Sequence, residues 1–139
     1  PSTATSFGAG CGSPPLVLSP IATSPPRINT IAQALLTNIP SSLAFVALGL
    51  RDDLVGPFAL PFPLVGYGMP SCYMLQSANA AAEPVTFIVP GTAIYSLPLP
   101  NWYGLIGMHL YLQGWANAPG ANSANVIVSN GVDWRLGDS

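Results

Sequence analysis

Val126-Ile127-Val128-Ser129-Asn130-Gly131-Val132-Asp133-Trp134-Arg135-Leu136 is the stretch that decides the fold class. In its second half Val132, Trp134 and Leu136 alternate with Asp133 and Arg135, the period of two that a half-buried β-strand requires. Asn130-Gly131 is a favoured dipeptide for a two-residue type I′ turn, whose central positions both need positive φ. The stretch therefore predicts a β-hairpin, with strands over 126–129 and 132–136. Asp133 and Arg135 would lie on its solvated face, where an ion pair between them would contribute little.

Outward from this hairpin the same grammar continues. The chain carries 16 prolines and 14 glycines, so few windows are free to hold a helix of three turns, while the pieces between are rich in Val, Ile, Leu, Tyr and Phe. Further strands are predicted over 16–19, 27–37, 43–50, 58–62, 72–76, 85–89, 92–97 and 107–115. The fold class that follows is all-β, an antiparallel sandwich of about eight to ten strands. Residues 1–10 read as an extended N-terminal segment and residues 11–139 as a single domain.

Two of these strands are apolar in both registers. In 43–50, Leu43, Phe45 and Ala47 alternate with Ala44, Val46 and Leu48, and 85–89 behaves in the same way. A strand of this kind needs cover on both faces. A two-layer sandwich supplies one cover, so the other must come from an overlying loop or a neighbouring subunit.

Composition narrows the function. Only 6% of the 139 residues are charged, against about 25% in an ordinary domain, and lysine is absent. Three cations, Arg27, Arg51 and Arg135, and a net charge of −2 leave nothing with which to neutralise a row of phosphates, which excludes nucleic acid and an anionic membrane surface as partners. Mean hydropathy is +0.47, yet no run of about 20 residues lacks Pro, Gly or strongly polar interruptions, so no membrane span is predicted. The first ten residues contain neither a basic nor an apolar leader region, which reads as a mature exported form. The two cysteines, Cys11 and Cys72, are most economically read as one disulfide in an oxidising compartment. Closing that loop would stabilise the fold by about 4 kcal/mol in the chain-entropy model. Low charge also opposes self-association poorly.

A set of motifs runs through the chain in a definite order. Gly8-Ala9-Gly10-Cys11 comes first, then Thr37-Asn38-Ile39-Pro40 ahead of an apolar strand ending in Leu48-Gly49. Pro61, Pro63 and Leu64 precede Gly68-Met69-Pro70-Ser71-Cys72. Gly91-Thr92-Ala93, Ser96-Leu97-Pro98-Leu99-Pro100-Asn101, Leu105-Ile106-Gly107, Leu110-Tyr111-Leu112-Gln113 and Ser129-Asn130-Gly131 complete the order. Over almost the whole chain this resembles the β-sandwich modules found at the C-termini of secreted proteins in planctomycetes and some other environmental bacteria. The resemblance implies export, a jelly-roll-like sandwich and a Cys11 to Cys72 bridge. It implies no reaction and brings no catalytic or ligand residues.

Catalytic constellations are missing. His109 is the single histidine, and no GxSxG, HExxH or CxxC motif occurs. No cofactor and no enzymatic activity are expected. Asp52 and Asp53 adjoin Arg51 in a polar loop; a Ca²⁺ site built on them with backbone carbonyls is the weak metal candidate, an ordinary solvated turn the stronger reading.

Aromatic residues are the better functional clue. His109, Tyr111, Gln113 and Trp115 should share one face of a long strand, with Met108, Leu110 and Leu112 on the core face. Trp102 and Tyr103, after a Pro-rich turn, would extend that patch. Such a face suits a protein interface or a sugar-stacking platform, or simply completes the core. Two functions are therefore expected in order: an extracellular or cell-surface structural protein that assembles with copies of itself, using edge strands and the 1–10 segment as an arm, or a module that binds polysaccharide.

Overall fold

A computed structural model describes residues 1–138. It is all-β, as the sequence predicts. The strands are β1 (Thr3–Phe7), β2 (Val17–Pro20), β3 (Thr30–Thr37), β4 (Ala44–Gly49), β5 (Leu54–Val55), β6 (Phe58–Ala59), β7 (Phe62–Pro63), β8 (Tyr73–Met74), β9 (Ala81–Pro84), β10 (Thr86–Val89), β11 (Thr92–Leu99), β12 (His109–Asn117) and β13 (Val126–Arg135). One sheet has the order β1-β13-β12-β4-β9 and the other β10-β11-β3-β2. All pairings within them are antiparallel. This is a β-sandwich; the jelly-roll winding that the resemblance implies is a finer statement than this strand order carries.

The core lies between the two sheets. Leu112, Val132, Trp134 and Val46 face Leu18, Leu36, Ala93 and Tyr95, all at most 1% exposed. Burial of each large side chain stabilises by about 1.5–3 kcal/mol. Trp134 stacks on Tyr95 with ring centroids 6.3 Å apart, and the Tyr95 hydroxyl donates to the Glu83 carboxylate. Gly114 lets the sheets approach, since a Cβ there would lie 2.5 Å from Leu36 Cδ1.

The predicted hairpin at Asn130-Gly131 is absent. β13 runs straight through it, and neither residue has positive φ. Gln113 opposes Gly131 and Trp115 opposes Val128, so Gly114 alone faces both Ser129 and Asn130 in a β-bulge. The bulge accompanies an inward-held Asn130 amide. Asn130 Oδ1 accepts from Leu18 N–H at 2.9 Å, and Asn130 Nδ2 donates to Leu18 C=O at 2.8 Å. One side-chain amide thus does for β2 what a neighbouring backbone would do, and it ties the two sheets together. Gly131 is pressed under the Phe7 ring, whose Cζ lies 2.4 Å from where a Cβ would stand. Breaking such buried bonds costs about 1–3 kcal/mol per unsatisfied group, enough to override a turn preference.

The N-terminal segment is extended, but not as an arm reaching a neighbour. Thr3–Phe7 pairs with Arg135 to Gly131 of its own chain as an edge strand, so the sandwich begins before residue 11. Predicted 85–89 corresponds to β10, which opens the second sheet; just before it lies an unpredicted strand, β9, which closes the first sheet, with Val85 between the two. Predicted 58–62 and 72–76 shrink to the two-residue ribbons β5-β6 and β7-β8, because their residues pack as a cover and not as a third sheet.

Candidate functional site

The expected second cover over the five-stranded sheet is supplied within the chain. Residues 50–76 cross its outer face and bury Leu64, Met69, Cys72 and Leu75. Besides the Gly68 C=O, which accepts from Ala124 N–H at 3.3 Å and Ser123 Oγ at 3.2 Å, two devices hold them there. Cys11 and Cys72 form the predicted disulfide, with Cα atoms 5.2 Å apart. Gln113, fully buried, accepts from Leu75 N–H at 3.1 Å and donates to the carbonyls of Tyr73 at 2.7 Å and Ser129 at 2.9 Å.

The cover does not reach the end of the sheet near Trp115. There a cleft of about 460 Å³ opens, lined by Trp115, Phe58, Phe62, Tyr67, Met69 and Met74, among others. Trp115 also stacks on Phe45 across β12 and β4, with centroids 6.0 Å apart and planes 9° from parallel. Phe58 sits 5.0 Å from Phe62, and Phe62 6.3 Å from Tyr67. Phe58 and Tyr67 remain 52% and 66% exposed, and no charged side chain lines the cleft. A volume of this size is in the range of pockets that enclose a compact apolar group.

The predicted aromatic face is divided in three. At the start of β12, His109 stacks on Tyr111 at 5.8 Å and its Nδ1 lies 2.7 Å from Asp133 Oδ1. Asp133 thus faces His109 and not the expected Arg135. Phe7 meets Tyr111 edge-on at 6.2 Å. The Tyr111 hydroxyl is held above its ordinary pKa by burial first, and then by the charges of Asp133, Asp52 and Asp53. Gln113, in the middle, is a buried anchor and no part of a surface. Trp115 alone of the four faces the cleft. Trp102 and Tyr103 lie in the turn before β12, 64% and 72% exposed, at the end of the strand opposite Trp115. Tyr103 borders a small polar pocket of about 240 Å³ with Arg27, Asn29, Asn101 and Asp138.

Of the weak metal candidates Asp52 and Asp53, the second is paired with Arg51. Both Asp53 oxygens are taken by Arg51, with Nε and Nη2 each at 2.8 Å, and this pairing holds the Asp53 carboxyl below its ordinary pKa. Among the described residues no group of three or more His, Cys, Asp or Glu side chains could hold a metal ion. No helix among them is long and apolar enough to cross a membrane.

Phe45, Phe58, Phe62, Tyr67, Met69 and Met74 are site residues that no sequence motif singled out. A signal for them exists: Phe58-Ala59-Leu60-Pro61-Phe62-Pro63 is dense in aromatic residues yet too broken by proline to be a central strand. Its apolar side chains therefore had to pack across a face. No protein family, curated protein or solved structure matches this chain.

Proposed function

We propose that this chain is a non-catalytic extracellular structural subunit that assembles with copies of itself. The observation that carries the proposal is the aromatic cleft at Trp115, open to solvent and free of charged lining residues. Exposed apolar surface of this kind marks an interaction site, and a chain with 6% charged residues has little repulsion to keep copies apart. The Cys11–Cys72 bridge is suited to an oxidising, non-cytosolic compartment.

Polysaccharide binding is the second function considered, and the polar pocket beside Tyr103 favours it. The Trp115 cleft favours it less, because sugar recognition needs several hydrogen-bonding groups around the stacking ring, and of the side chains lining this cleft only Tyr67 and Trp115 carry a nitrogen or oxygen atom. The test is light scattering of the non-reduced protein over a concentration series, followed by negative-stain imaging. Species growing well beyond 14.3 kDa are expected. A monomer at every concentration, retained on a glycan array, would replace assembly by sugar binding.

A further inference from the structure

We propose that the group filling the Trp115 cleft is the Trp102-Tyr103 turn of a second copy, so that chains join head to tail. The proposal rests on the assembly function above and names its surfaces. Trp102 and Tyr103 are among the most exposed large side chains of the molecule, and Ile106 and Met108 beside them are each 40% exposed, Met108 lying before β12 and outside the core face expected for it. Together they form an apolar knob held on a short 3-10 turn, Tyr103–Leu105. From residue 100 to 108 no side chain is charged, and the cleft lining carries no charge either. Bringing the two together therefore buries no charge carried by either segment, a cost that opposes burial at an interface; the charged neighbours are Arg27 and Asp138 beside Tyr103, at the rim of the contact.

Knob and cleft cannot meet within one chain. Trp102 and Tyr103 precede the first residue of β12, whereas Trp115 lies near its last, about 20 Å further along an extended strand. A contact between two different patches at opposite ends is heterologous, and unless its rotation happens to close a ring it propagates as a chain. Trp and Tyr bury about 150–250 Å² each. Even with Ile106 and Met108 the contact falls at the small end of specific interfaces, so growth is expected to be weak and strongly concentration-dependent.

The heterologous geometry has a diagnostic that edge-strand pairing lacks. Trp102→Ala with Tyr103→Ala removes the knob and leaves the cleft. Phe58→Glu, at an exposed position, puts a charge at the mouth of the cleft and leaves the knob; Tyr67→Glu does the same from the other wall. Each variant alone is expected to need at least tenfold higher concentration than the unaltered chain before its mass rises above 14.3 kDa. An equimolar mixture of knob-less and blocked chains is expected to form dimers and stop, since one functional knob meets one functional cleft. Thermal melts of the non-reduced variants confirm that each is folded. If the unaltered chain assembles but the folded variants assemble equally well, or their mixture stays monomeric, the knob-in-cleft contact is wrong and assembly itself stands. If the unaltered chain never leaves the monomer, the assembly function falls, and this contact with it.

Discussion

Trp134 and Trp115 sit on neighbouring strands of one sheet, β13 and β12, and meet opposite fates. Trp134 points between the sheets, has no exposed surface and stacks on Tyr95. Trp115 points outward, is partly exposed, and lines a cleft between its own sheet and a crossing segment. The inner face is covered by a second sheet whose residues are all placed by backbone pairing. The outer face is covered by a segment with only two-residue ribbons, held by one disulfide, one glutamine and the Gly68 carbonyl. Regular pairing leaves no gaps; a cover fastened at a few points stops short, and the gap is the candidate site.

The largest expected contrast is between the tryptophans themselves. Trp134→Ala should cost about 4 kcal/mol, the figure for emptying a packed core, whereas Trp115→Ala should cost less than half of that, because part of its surface is already wet. Urea melts of the two non-reduced variants measure the difference, and equal losses would show that the outer cover packs as tightly as the core.

Gln113→Leu sharpens the same contrast at the fastening. It removes three hydrogen bonds and leaves Leu75 N–H and the Tyr73 and Ser129 carbonyls without their partner, for an expected loss of about 2–3 kcal/mol. Hydrogen exchange should accelerate at Leu75 while Val132, in the ladder with β12, keeps its protection. Uniform acceleration would mean that cover and sandwich open as one unit.

The smallest effect belongs to the inner face. Burial, then the hydrogen bond and charge of Glu83, raise the pKa of the Tyr95 hydroxyl well above the ordinary tyrosine value. In the unfolded chain it ionises near pH 10, so above that pH the unfolded state binds fewer protons than the folded one. Stability contributed by this group is therefore complete below about pH 10 and declines as pH rises further. Tyr95→Phe should cost about 1 kcal/mol at neutral pH and make the alkaline decline shallower, with Tyr111, also raised, accounting for what remains. An unchanged alkaline titration of stability would remove Tyr95 as its source.

Much of the fold was legible from local pattern, and the exceptions share a cause. Both-register apolarity in 43–50 asked for a second cover and is met only in part: Ala47 is buried, but Leu43 and Phe45 are 65% and 38% exposed, and in 85–89 Ile88 and Val89 are 55% and 56% exposed. It did not say that residues 50–76 would supply it, since those residues are joined to the face by Gln113 and Cys72 and not by sequence proximity. The period of two placed Tyr111, Gln113 and Trp115 on one side of β12, and they are on one side. Whether each is a surface residue depends on what lies above it: Phe7 for Tyr111, Leu75 and Tyr73 for Gln113, an open cleft for Trp115.

Composition and periodicity alone therefore determined an all-β sandwich, and the two cysteines pointed to the one disulfide that forms. Tertiary structure decided the rest. Asn130-Gly131 is an efficient turn only where nothing competes for it, and here Leu18 engages the Asn130 amide while Phe7 covers Gly131. Local preferences amount to about 1 kcal/mol, and two buried hydrogen bonds with a ring packed beside them outweigh that. The cleft at Trp115 is likewise a property of where a distant segment stops, which no window of sequence around Trp115 contains.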